Sequence, residues 1–217
     1  MKLWEEILDL LYPPRCAFCH RLLRQKGESV CPDCEKKLPR TGVLAAQDSF
    51  RHIERCVSPL FYENTVRASL HRYKFAQCRG YAGIYAGFVV KCIDENKFSC
   101  DSITWVPVSR RRLRRRGYDQ AELLAREIAA RLGIPCLRML DKVRDNPPQS
   151  RAGKAKERRE NVKGVYRCAD PSRVSGRRVL LVDDIVTTGA TLSEGAKVLK
   201  EAGAASVYAA TLARRRE

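Results

Sequence analysis

The run RRVLLVDDIVTTGATL, Arg177 to Leu192, constrains the fold more than any other part of this 217-residue chain. Val179 to Val182 is apolar at every position, not at alternate ones, so both faces of that strand must be covered, as in a parallel sheet with helices on either side. Asp183 and Asp184 follow, then a turn containing Gly189, then TLSEGAKVLKEAG, a helix closed by Gly203. In open α/β sheets ligands bind beyond the carboxyl ends of strands, where a loop leads into the next helix. Unpaired backbone N–H groups at a helix start and in a glycine turn make an anion site. Thr187, Thr188 and Thr191 add hydroxyl donors, so the hollow suits a phosphate. Two adjacent carboxylates would repel that phosphate; their natural partners are hydroxyl groups or a hard cation such as Mg2+. A ribose phosphate supplies both the hydroxyls and the anion. A single Asp before such a loop would read simply as a strand end or a helix cap, but here the whole string occurs in order.

The same alternation extends upstream. CVSPLFY reads as a strand, ENTVRASLHRYKF and GYAGIYAGFVVKCIDEN as helices, and ITWVPVS as a buried strand. DQAELLAREIAARLG is a helix stopped by Gly133, while GVYRC and SVYAATLA read as strands. This predicts an α/β domain over 50–217 with a parallel sheet flanked by helices. Before it, LWEEILDLLY has helical spacing and ends at two prolines, and 1–40 is read as that helix plus a cysteine-rich module. Thr41 to Phe50 is small and polar, a linker. Asp141 to Gly164 has many charges and no apolar periodicity, so it is either disordered or a functional flap.

In that module CAFC and CPDC place Cys16, Cys19, Cys31 and Cys34 as two C-x2-C pairs. Four thiolates suit a closed, structural Zn2+ site, and so short a module has too small a core to fold without a cross-link. Whether such a ribbon touches nucleic acid or protein stays open. His20 beside Cys19 is a competing ligand expected to face solvent instead. The other six cysteines are expected to pack as small hydrophobes. The opening carries acidic residues where a secretory signal needs a basic end, and no stretch has the roughly 20 apolar residues of a bilayer span. A cytoplasmic location without membrane insertion is therefore expected.

The formal charge is +17, which draws polyanions, whether nucleic acids or phosphorylated small molecules. Six of those cations lie in Arg110–Arg116, just after a buried strand. Such a run is either a solvated face or an anion site, and guanidinium pairs suit phosphate oxygens.

VLLVDDIVTTGATL closely resembles the phosphoribosyl pyrophosphate (PRPP) signature of type I phosphoribosyltransferases. Carried over by position, Asp183 and Asp184 contact the ribose hydroxyls and serve as the catalytic pair. Ile185, Val186, Thr187, Thr188, Gly189, Ala190 and Thr191 cradle the 5′-phosphate. Ser109, Arg110 and Arg111 are placed to meet the pyrophosphate. The N-terminal four-cysteine ribbon, YKF with Lys74, VPVS, RRRGYDQAELLA, the Gln149 region, RRENVKGVY and the acid string, in that order, resemble the ComF family. These phosphoribosyltransferase-like proteins are associated with DNA uptake during natural competence. Two departures stand out: Asp119 where the family commonly has asparagine, and AQCRG, which delays a glycine turn after Lys74 to Gly80.

The resemblance implies a protein that binds PRPP with Mg2+ and handles single-stranded DNA, with a DNA-uptake helicase or other competence proteins as candidate partners. It leaves room for a homodimer. Arg158 and Asn161 would be the ligand contacts of a closing flap. If the chain catalyses, a nitrogen nucleophile displaces pyrophosphate from the anomeric carbon, and the acceptor is unnamed by the sequence. Two other readings compete: a ligand sensor within a DNA-binding adaptor, and nucleobase salvage with no DNA role. For the adaptor, Tyr62, Tyr73 and Tyr118 are the aromatic residues available for base stacking.

Overall fold

The computed structural model describes residues 13–23, 27–42, 50–145 and 162–216. The expected N-terminal helix, most of the 41–50 linker, and Gln149, Arg158 and Asn161 lie outside them.

The ribbon begins with an antiparallel bridge between Arg15 and Leu22 that folds the first cysteine pair into a knuckle. Pro32 opens a short helix, α1 (Pro32–Lys37), directly after Cys31; proline's fixed φ suits a first helical position. The chain then crosses to the sheet as two short strands, β1 (Cys56–Val57) and β2 (Leu60–Phe61). One strand is expected over CVSPLFY, but Pro59 lacks an N–H, and the line breaks at Ser58–Pro59 on the sheet edge. Helices α2 (Asn64–Phe75) and α3 (Tyr81–Glu95) follow, then β3 (Ser102–Trp105).

The arginine run is not a loop. Ser109 accepts a hydrogen bond from the Arg112 amide, Gly117 turns left-handed at φ 77, and between them α4 (Arg110–Arg116) forms. The amphipathic helix α5 (Gln120–Leu132) ends at Gly133. A second difference concerns GVYRC. Its strand β5 (Tyr166–Cys168) does not join the parallel sheet but pairs antiparallel with β4 (Leu140–Lys142). The chain closes with β6 (Arg178–Val186), α6 (Ala190–Glu201) and β7 (Ser206–Arg214).

The main sheet is wholly parallel, with β1 and β2 both on β7, then β6, then β3. Its two faces carry two apolar clusters. Leu180, Val182 and Ala210 face α2, α3 and α5, whereas Val179, Leu181 and Ala209 face α6. Cys16, Ala17 and Phe18 of the ribbon belong to the first cluster, so the knuckle is anchored in the same apolar interior as α2 and α3. Among the described residues no helix is long and apolar enough to cross a membrane.

Candidate functional site

Register decides where the acids stand. β3 pairs with β6 only from Ser102↔Val179 to Trp105↔Val182, while β6 continues beside β7 through Val186↔Arg214. Asp183 and Asp184 therefore sit within a strand, not after it, on the flank from which β3 has turned away. The notch left there is the candidate site. Successive side chains of a strand point to opposite faces, so Asp184 leans toward α2 and Asp183 toward the side of α6.

Lys74, in the last turn of α2, meets Asp184 at 2.6 Å. Among the described residues Asp183 makes no such ion pair: burial and the neighbouring Asp184 charge push its carboxyl up to about 8, against the hydrogen bond it accepts from the Asp184 amide at 2.8 Å. A carboxyl held protonated by a dry, negative setting is one that a cation or a hydroxyl donor would relieve. The oxygen-only donor set fits Mg2+, which would be held by Asp183 together with ligand oxygens.

The pair opens into a cavity of about 250 Å³ bounded by Arg112, Arg116, Lys142 and Tyr166 as well as by both aspartates. Arg116 donates to Gln120 Oε1 at 2.7 Å, yet its Nε is buried with no partner among the described residues. Burial pulls its pKa down, with the Asp184 charge opposing. Lys142 is pulled down as well, by burial first and then by Arg112. Both cations would gain from an incoming anion.

Beyond Asp183, residues Ile185 to Leu192 curl around a small hollow of about 40 Å³ at the start of α6. Gly189 is required there twice over. Its φ is +68, and a Cβ would collide with the Phe50 ring. Ile185 and Val186 still belong to the strand, so only their backbone is available to a ligand. Thr187 is exposed, while Thr188, Ala190 and Thr191 are half-buried.

The structure thus gathers Lys74, Asp183, Asp184 and the 185–191 turn. It does not gather the expected pyrophosphate contacts. Ser109 is buried as the cap of α4, Arg111 is exposed, and Arg110 lines an adjoining groove and not the acid cavity itself. Helical spacing sends Arg112 and Arg116, one turn apart, into the cavity in their place. Phe50 against Gly189 had no sequence signal. Tyr73 and Tyr118 are buried with ring centroids 6.0 Å apart, so they serve the core instead of stacking on bases. Asp119 is also interior: it caps α5 through the amides of Ala121 and Glu122 and accepts from Val108.

The second groove holds about 750 Å³ and is lined by seven basic side chains against four acidic ones. Asp141 alone serves both Arg138 at 2.6 Å and Arg167 at 3.4 Å, and Arg110 and Arg144 make no ion pair among the described residues. Pro107, Val108 and Lys142 line this groove and the acid cavity alike, so the two are continuous.

In the ribbon the ligand atoms of Cys16, Cys19, Cys31 and Cys34 all lie within 4.8 Å of one another. Cys19 and Cys31 sulfurs are 3.7 Å apart, close to the edge of a tetrahedron with Zn–S bonds of about 2.3 Å. Amide donors from Cys31, Cys19 and Phe18 outweigh burial and bring the Cys16 thiol down to about 7. Burial and the three neighbouring thiols drive Cys34 upward. Four such sulfurs cannot all ionise without a cation between them, so the donor set fits structural zinc. His20 stands outside the quartet.

A phosphoribosyl transferase domain model matches residues 119–217, and a double zinc ribbon model matches 7–44. The chain is 31% identical over 210 residues to DNA utilization protein YhgH of Salmonella typhimurium, covering 92% of this chain and 89% of that one. The chain belongs to the ComF family. Its other relatives include Competence protein F of Haemophilus influenzae, 28% identical over 92% of this chain and 96% of that one. Competence protein ComFC of Streptococcus pneumoniae is 29% identical over 92% and 87%. Among solved structures, the adenine phosphoribosyltransferase of Thermoanaerobacter pseudethanolicus superposes on 64% of this ComF-family chain and 83% of its own, with 16% identity and a TM-score of 0.42.

Proposed function

We propose that this ComF-family chain binds PRPP with Mg2+ in the notch beside β6 and takes part in handling single-stranded DNA in the cytoplasm. The observation that carries the first half is the acid pair standing where β3 ends, with a phosphate-sized turn at one side and two under-satisfied cations at the other. In this reading Asp183 and Asp184 accept hydrogen bonds from the ribose hydroxyls. Backbone amides of 185–191 hold the 5′-phosphate at the start of α6. Arg112 and Arg116 meet the pyrophosphate. When bound, Mg2+ offsets the phosphate charge. For a transfer reaction the same placement serves: a nitrogen lone pair forms the new bond to the anomeric carbon as the bond to pyrophosphate breaks, and Arg112 and Arg116 receive the developing charge.

Isothermal titration of Mg2+ and PRPP tests the site. Wild type should give a saturable heat that the Asp183→Asn, Asp184→Asn double variant loses, and equal heats would reject the pocket. Pyrophosphate release with nucleobases, ammonia or glutamine as acceptors separates transfer from sensing.

The DNA half is supported by the basic groove beside the cavity and by the names of the relatives. Guanidinium groups tracking a phosphate backbone give binding that falls steeply with salt and shows little sequence preference. Filter binding of single-stranded DNA should weaken several-fold from low to moderate salt, and Arg110→Glu, Arg144→Glu should weaken it at every salt concentration. Affinity indifferent to both changes would count against the groove.

A further inference from the structure

The helix that delivers Lys74 is gripped by the first cysteine knuckle. Ser69 Oγ donates to the Ala17 carbonyl, and Arg72 Nη2 donates to the carbonyls of Ala17 (3.2 Å) and Phe18. Both carbonyls lie between Cys16 and Cys19, inside the CAFC turn. The residues that follow on the same helix reach the opposite way. Tyr73 Oη donates to the Gln120 carbonyl at 2.7 Å, the Tyr118 hydroxyl donates to the Tyr73 carbonyl, and Lys74 meets Asp184 at 2.6 Å. Less than two turns of α2 therefore join the ribbon to the acid pair. Aromatic packing runs in parallel: the Phe18 ring is 6.1 Å from Tyr85, and Tyr85 is 5.2 Å from Tyr73.

We propose that Ser69 and Arg72 are positioning residues through which the zinc-loaded ribbon holds Lys74 against Asp184. Burial of Ala17 and Phe18 in the main core seats the knuckle, and a cation tying Cys16 to Cys19 further fixes the direction of the two carbonyls, because the rest of so small a module has little core of its own. Among the described residues Arg72 Nε is already buried without a partner. Losing the carbonyl acceptors as well would leave this half-buried guanidinium with the Tyr81 hydroxyl as its remaining polar neighbour, a penalty. Relaxation of α2 relieves that penalty and draws Lys74 off Asp184. Two sites that bias the same helix are coupled reciprocally: whatever factor zinc adds to ligand affinity, the ligand adds to zinc retention. The last step rests on the reading that Lys74 and the acid pair form the PRPP site; the contact between Lys74 and Asp184 does not.

The experiment is built to separate the two. Full-length protein at equal zinc content is acylated with an N-hydroxysuccinimide ester at one fixed pH, and labelling is read by peptide mass spectrometry. The side chain of Lys74 is 22% exposed in its ion pair, while that of Lys91 on the neighbouring helix is 73% exposed and serves as control. Arg72→Met, which keeps the stem and loses the donors, should raise Lys74 labelling about tenfold, the scale of one hydrogen bond to a charged group. Lys91 should not change, and Arg72→Lys should restore part of the protection. Ser69→Ala should give about a threefold rise, which covers the case in which Arg72→Met fails to retain zinc. Stripping zinc from wild type with a chelator should reproduce the Arg72→Met value. Lys74 labelling that stays at the wild-type rate in both variants overturns the proposal, since a merely structural role for Arg72 would leave Lys74 protected. In parallel, Mg2+ and PRPP should bind about tenfold more weakly to Arg72→Met and should slow zinc extraction from wild type by the same factor. Faster Lys74 labelling with no PRPP heat in wild type would uphold the coupling and reject the ligand. A PRPP heat with unchanged labelling would do the reverse.

Discussion

Asp119 offers a stringent test of the electrostatics beside the site. Its carboxylate is 7% exposed and accepts three backbone amides, from Val108 at 2.9 Å, Ala121 at 3.1 Å and Glu122 at 3.3 Å. Burial nevertheless outweighs those bonds and pushes the carboxyl up to about 6, with Glu122 adding repulsion. A folded pKa above the unfolded one means that protonation stabilises the fold. That contribution is complete below the unfolded value near 4 and is lost as pH rises through about 6. Between pH 7.5 and pH 5.0 the wild type should gain about 1.4 kcal/mol from this group alone. Asp119→Asn carries no titrating proton and forgoes the gain. At pH 7.5 the variant escapes the cost of a buried charge but turns an amide NH2 toward the Val108 N–H, a loss of about 1–3 kcal/mol, so the two effects nearly cancel. The informative quantity is the change in the difference. Urea unfolding of both proteins at the two pH values, with zinc saturating, should show the variant falling behind by about 1.4 kcal/mol on acidification. A difference that stays constant would mean that the three amides win over burial, and the account of Asp119 would fail.

Other outcomes follow from the same contacts. Gly189→Ala should cost more than backbone strain alone, because the new Cβ would meet the Phe50 ring, and it should abolish the Mg2+ and PRPP heat. Gly176→Ala, with φ +72 and open space around it, is the control and should cost only about 1 kcal/mol. Lys74→Met leaves Asp184 buried without its ion partner and should destabilise by about 3 kcal/mol in chemical denaturation. Phe18→Ala removes a fully buried ring shared by the ribbon and the main core, so about 3–5 kcal/mol should be lost; a loss below 1 kcal/mol would show that the ribbon is anchored elsewhere.

The arginine run shows where reading a sequence stops. Six arginines in seven residues read as either a solvated face or an anion site, and for the latter linear proximity to the strand end favours Arg110 and Arg111. A capping serine and a left-handed glycine wind the run into a helix, and a helix distributes its side chains by angle. Arg112 and Arg116 thereby face the acids while Arg110 faces the neighbouring groove. Nothing in the string RRRGYDQ tells that Asp119 caps α5. Phe50 lies 139 positions before Gly189 and was invisible for the same reason.

Local chemistry is what the chain states outright. An unbroken apolar run demands cover on both faces, two pairs of thiols each with two residues between them suit a metal, and adjacent acids before a threonine-glycine turn suit hydroxyls and an anion. Those demands depend only on neighbours in the chain, so they point to the parallel sheet, the ribbon and the pairing of Asp183 with Asp184, while register places the acids within the strand. Which distant groups complete each site depends on register and helix packing. The early end of β3, the ion pair from Lys74 and the grip of Arg72 on the knuckle exist only because strands and helices far apart in the sequence share one interior.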